Sequence, residues 1–203
     1  MSYVCLFANE RCAAAASDSR ENRGLDNHTD DRQKTFCSDR GEVLYACCGV
    51  TRRSGRDCFR RVERLMRSDR KSFDARLESV TAYMQRQTAL QHRETGSDSR
   101  FTMLAASYWG GQRRVISLDL LNGEAKLRER TLPIGLQAGK DVDALPSFSR
   151  YHPSPTAGAG VLSAMARTRV SQAIARDRAR KASDPGYADT IGGEIQCLCL
   201  AWE

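Results

Sequence analysis

Four residues near the N-terminus have types and spacings that suit amide-bond chemistry. Ser2 follows Met1, and a small second residue commonly permits removal of the initiator methionine, leaving Ser2 with a free α-amine. A hydroxyl beside an α-amine combines nucleophile and base. The amine has an unperturbed pKa of about 7.7–8.0, so near neutral pH a good fraction can accept the hydroxyl proton. Serine is an ordinary second residue, and Ser2 alone carries little weight. Asp18 lies sixteen residues after Ser2, in the run Ser17-Asp18-Ser19-Arg20, and Lys34 lies sixteen residues after Asp18. An ammonium near the nucleophile lowers the cost of an alkoxide, and a carboxylate keeps that ammonium charged and oriented. Gly49, after the run LYACC, can present an unhindered N–H to a developing oxyanion, although locally it reads more simply as a strand-ending turn.

The elements that must position these residues follow from periodicity and turn chemistry. YVCLFA and the CAAAA run read as a hairpin joined at Asn9-Glu10-Arg11, followed by a polar loop from Ser19 to Gln33. KTFCSD and EVLYACC form a second hairpin around Arg40-Gly41. Two helical stretches come next, broken at Ser68-Asp69-Arg70. The second places Phe73, Leu77, Val80 and Met84 on one apolar face. FTMLAASYW and RRVISLDL then pair around Gly110-Gly111, and Asn122-Gly123 turns the chain into EAKLRERTL. A Pro- and Ser-rich loop (Pro146 to Pro155) precedes a long helix over Ala157 to Ala182, and Gly192-Gly193 opens a last strand, EIQCLCLAW. Strands, two helices, strands, helices and a strand make a layered α+β architecture and not a parallel doubly wound one.

Composition narrows the function classes. The 203 residues are enough for one domain spanning 1–203 and short for two, and 40% hydrophobic with 28% charged residues describes a globular chain. No apolar run reaches the roughly 18 residues of a bilayer span, and the opening MSYVCLFANERC lacks a basic leader. A cytoplasmic chain whose mature form begins at or next to Met1 is therefore expected. The charge of +7 comes from 32 basic and 25 acidic residues. The arginines are scattered among acids, which reads as solvated surface and not as a nucleic-acid face. The eight cysteines show no zinc-type pairing, and Cys5, Cys47, Cys197 and Cys199 sit in apolar runs as small core residues with free thiols. His28, His92 and His152 lie in polar segments without ligand spacing, so no metal is expected. Tyr108 and Trp109 read as strand-end aromatics packed in the core.

Taken jointly, these features resemble the proteasome β-subunit-like N-terminal-nucleophile (Ntn) hydrolases. In that family a processed N-terminal residue, normally threonine, precedes an apolar hairpin, a D-S-R motif, a lysine and then a glycine. Ser2, Asp18-Ser19-Arg20, Lys34 and Gly49 follow that order, with one extra residue before Gly49. SYWGGQRRVISLDLLNG is similar to the family's glycine-containing strand and turn. Pro133-Ile134-Gly135 is similar to the segment that opens its next helix, and Asp189-Thr190-Ile191-Gly192-Gly193 to the aspartate and glycines before its final strand. The MSYVC start is most similar to the bacterial members called Anbu. The resemblance implies a four-layer α/β/β/α sandwich of two antiparallel sheets and hydrolysis of peptide or amide bonds. It further implies Asp189 as a residue orienting Ser2 or its amine, no cofactor, and self-association into homo-oligomers that can be ring-like. Three departures stand out. Serine replaces threonine, Leu136 and Gln137 stand where a supporting serine often follows the Ile-Gly segment, and Gly192 stands where another serine follows the aspartate. They leave a catalytically inactive assembly or binding module as the competing expectation.

Overall fold

The computed structural model describes residues 2–22, 28–38, 40–53, 56–67, 71–139, 152–184, 186–187 and 190–202, without the side chains of residues 22 and 56. In chain order the elements are β1 (Tyr3–Ala8), β2 (Cys12–Asp18), β3 (Glu21–Asn22), β4 (His28–Thr29), β5 (Thr35–Cys37) and β6 (Val43–Gly49). Then come β7 (Arg52–Arg53), β8 (Arg56–Asp57), α1 (Cys58–Met66), α2 (Phe73–Thr95), β9 (Arg100–Trp109) and β10 (Gln112–Leu121). β11 (Glu124–Arg130), β12 (Ile134–Gly139), α3 (Ala159–Ser183) and β13 (Ile195–Ala201) complete the described chain.

Two antiparallel sheets dominate. One is four-stranded in the order β12-β1-β2-β13, the other five-stranded in the order β11-β10-β9-β6-β5. Three apolar clusters fix the layering. Tyr3, Cys5, Phe7, Ala14 and Ala16 pack against Leu162, Ala166, Val170 and Ala173 of α3. Val4, Leu6, Ala13 and Ala15 meet Leu44, Ala46, Leu104 and Val115 between the sheets. Tyr45, Phe101, Met103 and Ile116 meet Phe59, Val62, Leu77, Val80 and Met84 of α1 and α2. The alternation of β1 and β2 thus divides their residues between two cores, as the two-residue strand period requires. The result is the expected four-layer α/β/β/α sandwich.

Local chemistry sets the ends of the elements. Asp57 caps α1 by accepting the Arg60 N–H at 2.9 Å, and Ser72 caps α2 by accepting from Ala75 at 3.3 Å. Gly110-Gly111 and Asn122-Gly123 take positive φ in the turns on either side of β10.

Two expectations need correction. Ile134–Gly139 is a strand paired along β1 from Tyr3↔Gly139 to Ala8↔Ile134, and not the opening of a helix. Its partner lies about 130 residues earlier, and satisfying the outer hydrogen-bonding edge of β1 outweighs a local signal of Pro and Gly. Cys199 is exposed and Cys197 half-buried, because β13 is an edge strand with cover on one side only. The polar loop over Ser19–Gln33 contains the short β3–β4 pair. Most of the loop expected over Pro146–Pro155 lies outside the described residues, and so does Asp189.

Candidate active site

The first hairpin and the start of β5 converge on Asp18. This carboxylate, at the end of β2, is fully buried and accepts four hydrogen bonds. Oδ1 takes the Tyr3 N–H at 2.7 Å; Oδ2 takes Lys34 Nζ at 3.0 Å, the Arg20 N–H at 3.2 Å and the Gly192 N–H at 3.3 Å. The Tyr3 bond ties the backbone next to Ser2 directly to the carboxylate that holds Lys34. Ser2 itself is 4% exposed, and its hydroxyl has no hydrogen-bond partner among the described residues.

Lys34 is likewise fully buried, just before β5. Its ammonium donates to Asp18 and to the Arg20 carbonyl, so two of its three protons are placed and the third has no acceptor among the described residues. Burial pushes the Lys34 ammonium below the usual lysine range, with Asp18 opposing the shift, while burial raises Asp18 against the pull of Lys34 and its N–H donors. A lysine so poised can share or relay a proton more readily than one in water.

The backbone around Lys34 is held by Gln196 of β13. Its side-chain oxygen accepts the Lys34 N–H at 2.9 Å and the Ser17 hydroxyl at 3.3 Å, and its amide donates to the Arg32 carbonyl at 3.0 Å. Gly49 is placed from the opposite sheet. The Cys47 N–H donates to the Lys34 carbonyl at 2.9 Å and the Val50 N–H to the Arg100 carbonyl at 2.9 Å. Strand alternation therefore turns the Gly49 N–H toward the side of Lys34, beyond the start of β5. Glycine is required there: φ is +108°, and a Cβ would sit 2.1 Å from the Arg100 carbonyl oxygen.

Several residues that position this centre were not singled out from the sequence. Gln196 left a signal, a polar side chain in the middle of an apolar strand. Gly139 left none: β12 approaches β1 so closely that a Cβ there would lie 2.2 Å from the Ser2 carbonyl oxygen. The loop before β13 is held from α3, where Asp177 accepts the N–H groups of Thr190 at 2.6 Å and Ile191 at 2.8 Å. Gly192 then receives the Ser19 and Arg20 N–H groups on its carbonyl and gives its own N–H to Asp18. A side chain at 192 would meet the Arg20 guanidinium, 2.6 Å from a Cβ, and that guanidinium is fixed by two bonds to Asp30. Gln137, opposite Cys5 in the register, accepts the Tyr3 hydroxyl at 2.7 Å and the Arg169 Nε–H at 3.3 Å.

A cleft of about 530 Å³ opens beside Arg32 and Gln33, directly before Lys34 in the chain. Phe36 and Phe59 supply apolar wall, and Glu21, Asp31, Arg32, Arg52, Asp57, Arg60 and Glu63 its charged lining. Most of these charges are matched internally. Arg32 pairs with Asp57 through both guanidinium nitrogens, and Arg52 approaches Glu21 at 3.1 Å. No group of three or more His, Cys, Asp or Glu is arranged to hold a metal ion among the described residues. No described helix is long and apolar enough to cross a membrane.

Two antiparallel sheets stacked between helical layers, with β1 an inner strand of one of them, make a fold shared with solved Anbu and BPH structures. Anbu, the ancestral beta-subunit from Yersinia bercovieri, superposes with a TM-score of 0.60 over 98% of this chain and 82% of its own, at 15% identity. Anbu from Hyphomicrobium sp. strain MC1 gives 0.59 over 98% and 82%, at 14% identity. BPH from Thiobacillus denitrificans, solved in complex with epoxomicin, gives 0.59 over 99% of both chains, at 15% identity. No protein-family model and no curated protein matches the sequence.

Proposed function

We propose that the chain is an N-terminal-nucleophile hydrolase of peptide or amide bonds, with Ser2 as nucleophile once Met1 is removed. The observation that carries this reading is the Asp18 centre, where one buried carboxylate binds both the backbone beside Ser2 and the Lys34 ammonium.

In this mechanism Ser2 Oγ attacks the substrate carbonyl while the α-amine of Ser2 takes its proton. Lys34, oriented by Asp18, stabilises the charge forming on Oγ. The Gly49 N–H donates to the oxyanion of the tetrahedral intermediate. The amine returns the proton to the leaving nitrogen, leaving an acyl ester on Ser2, and water then hydrolyses the ester by the same route in reverse. Asp189, close in sequence to Gly192, belongs to this proposal as the residue that orients the amine. Self-association into a homo-oligomer enclosing the sites is proposed with it, and light scattering of the purified chain measures it.

The test is the intact mass of the natively purified protein before and after a peptide epoxyketone, a warhead that needs a terminal amine and its neighbouring hydroxyl together. Loss of Met1 and one adduct per chain, absent in Ser2→Ala, is the expected result. Retained Met1 with no adduct would sink the mechanism. That outcome would favour the second reading, an inactive assembly or binding module. The specific observation on its side is Gly192, which brings no hydroxyl to the centre and has the Arg20 guanidinium over its α-carbon.

A further inference from the structure

The solvent face of α1 carries four arginines at neighbouring positions, two of them where the helix dipole disfavours cations. Arg60, Arg61, Arg64 and Arg67 are all exposed. Arg60 and Arg61 stand in the first turn, where the helix dipole disfavours cations, and no acidic residue occupies that turn. Arg60–Arg64 are four apart, and Arg61–Arg64 and Arg64–Arg67 three apart, so like charges sit at neighbouring surface positions. Arg60 reaches Asp57 only at 3.9 Å, while Arg67 pairs with Glu63 at 2.9 Å. Arg61 and Arg64 have no ion-pair partner among the described residues, and Lys71 is exposed just beyond.

This face adjoins the cleft lined by Arg32 and Gln33, the residues before Lys34 in the chain, because Phe59, Arg60 and Glu63 of α1 also line it. Inside the cleft Asp57, Glu21 and Glu63 are matched by Arg32, Arg52 and Arg67, which leaves one exposed carboxylate, Asp31, against Arg61 and Arg64 of the rim, so the excess charge of this face is positive.

We infer that the arginine face of α1 is a docking rim for an acidic peptide segment. The inference rests on the hydrolase reading and assigns its substrate class: peptides with two or three carboxylate side chains close together. From Arg60 to Arg67 the helix axis advances about 10 Å, the length of about three residues of extended chain. Guanidinium groups bind carboxylates through paired hydrogen bonds, and a rim with net positive charge raises the encounter rate of an anionic chain. A peptide suits the site better than a nucleic acid. The cleft beside the rim combines Phe36 and Phe59 with paired charges and the Asp31 carboxylate, which repels a phosphate backbone carrying charge at every unit.

The experiment is binding of a fluorescein-labelled hexapeptide containing three glutamates, and of its glutamine counterpart, to full-length Ser2→Ala, read by fluorescence anisotropy. The glutamate peptide is expected to bind about tenfold more tightly than the glutamine one at about 50 mM salt, with much of the difference lost at about 200 mM. Arg61→Gln/Arg64→Gln is expected to abolish that difference. Arg176→Gln/Arg178→Gln, which removes the same charge from the exposed face of α3, is expected to keep it. Equal binding of the two peptides, no binding of either, or equal loss in both double variants would overturn the rim. Binding of a single-stranded oligonucleotide of equal charge as tight as the glutamate peptide would overturn it in favour of a general polyanion site. Anisotropy on Ser2→Ala requires no turnover, so a missing epoxyketone adduct on the unaltered chain counts against the nucleophile and leaves the rim to be judged separately.

Discussion

The two sheets are built from opposite kinds of sequence. The five-stranded sheet is largely local: β9, β10 and β11 follow one another through tight turns, and β5 and β6 form their own hairpin. Its helix-facing core is made of large residues, with Phe59, Phe73, Phe101, Met66 and Met84 all buried. The four-stranded sheet joins β1 and β2 from the start of the chain to β12 from its middle and β13 from its end. Four consecutive alanines, Ala13 to Ala16, fill its centre, and small side chains let α3 and the other sheet close on it from both sides. The candidate site lies at the border of this second kind of sheet. One sheet stores stability in large apolar contacts, and the other spends contact area to bring chemically useful backbone together.

Removing the buried cation should sharpen the difference most. Lys34→Met keeps the aliphatic stem and leaves Asp18 buried without its cation, with only backbone N–H donors, at an expected cost of about 3–5 kcal/mol in denaturant unfolding at neutral pH. Burial raises the folded-state Asp18 pKa and Lys34 pulls it down, so losing Lys34 raises it further above the unfolded value and the variant's folded state binds the proton more tightly. The deficit should therefore shrink as pH falls through the raised value. Phe101→Ala, in the other core, should cost a similar amount of about 3–5 kcal/mol from the cavity it leaves, with no such pH dependence. A pH-dependent deficit in Phe101→Ala, or a flat one in Lys34→Met, would break the comparison.

A smaller effect is expected from Gly139→Ala, which must move β12 away from the Ser2 carbonyl. Stability should fall by about 2 kcal/mol. Epoxyketone labelling of Ser2 should fall by more than that loss explains, measured where the variant remains fully folded. Asn122→Ala, at the β10–β11 turn, loses a residue suited to φ +55° and its bond from the Ser99 N–H at 2.8 Å. The expected cost is about 1–2 kcal/mol, with labelling unchanged. Least disruptive is thiol chemistry. Iodoacetamide should modify Cys199 first in the native chain, because β13 leaves it exposed. Cys48, buried beside Lys34 with its thiol pushed up to about 12, should react only on unfolding, as should Cys5 and Cys47. Mass spectrometry of native digests distinguishes these orders.

The sequence by itself determined most of the elements and the types of residue at the site. Asn122-Gly123 and Gly110-Gly111 announce their turns because φ > 0 has few suitable residues. The apolar spacing of Phe73, Leu77, Val80 and Met84 announces α2 because one helical face must be buried. Ser2, Asp18 and Lys34 were legible as a set because their chemistry is complementary and their order in the chain is regular. Tertiary structure decided the rest. Ala13 to Ala16 have the strongest helix preference of any residue, yet they form a central strand because β1 and β13 satisfy their backbone on both sides. Ile134–Gly139 became a strand because β1, at the start of the chain, offers it a partner. The roles of Gly139, Gln196 and Asp177 depend on distances between segments more than a hundred residues apart or on a loop's unsatisfied N–H groups. Local propensity and spacing along one chain do not encode such contacts.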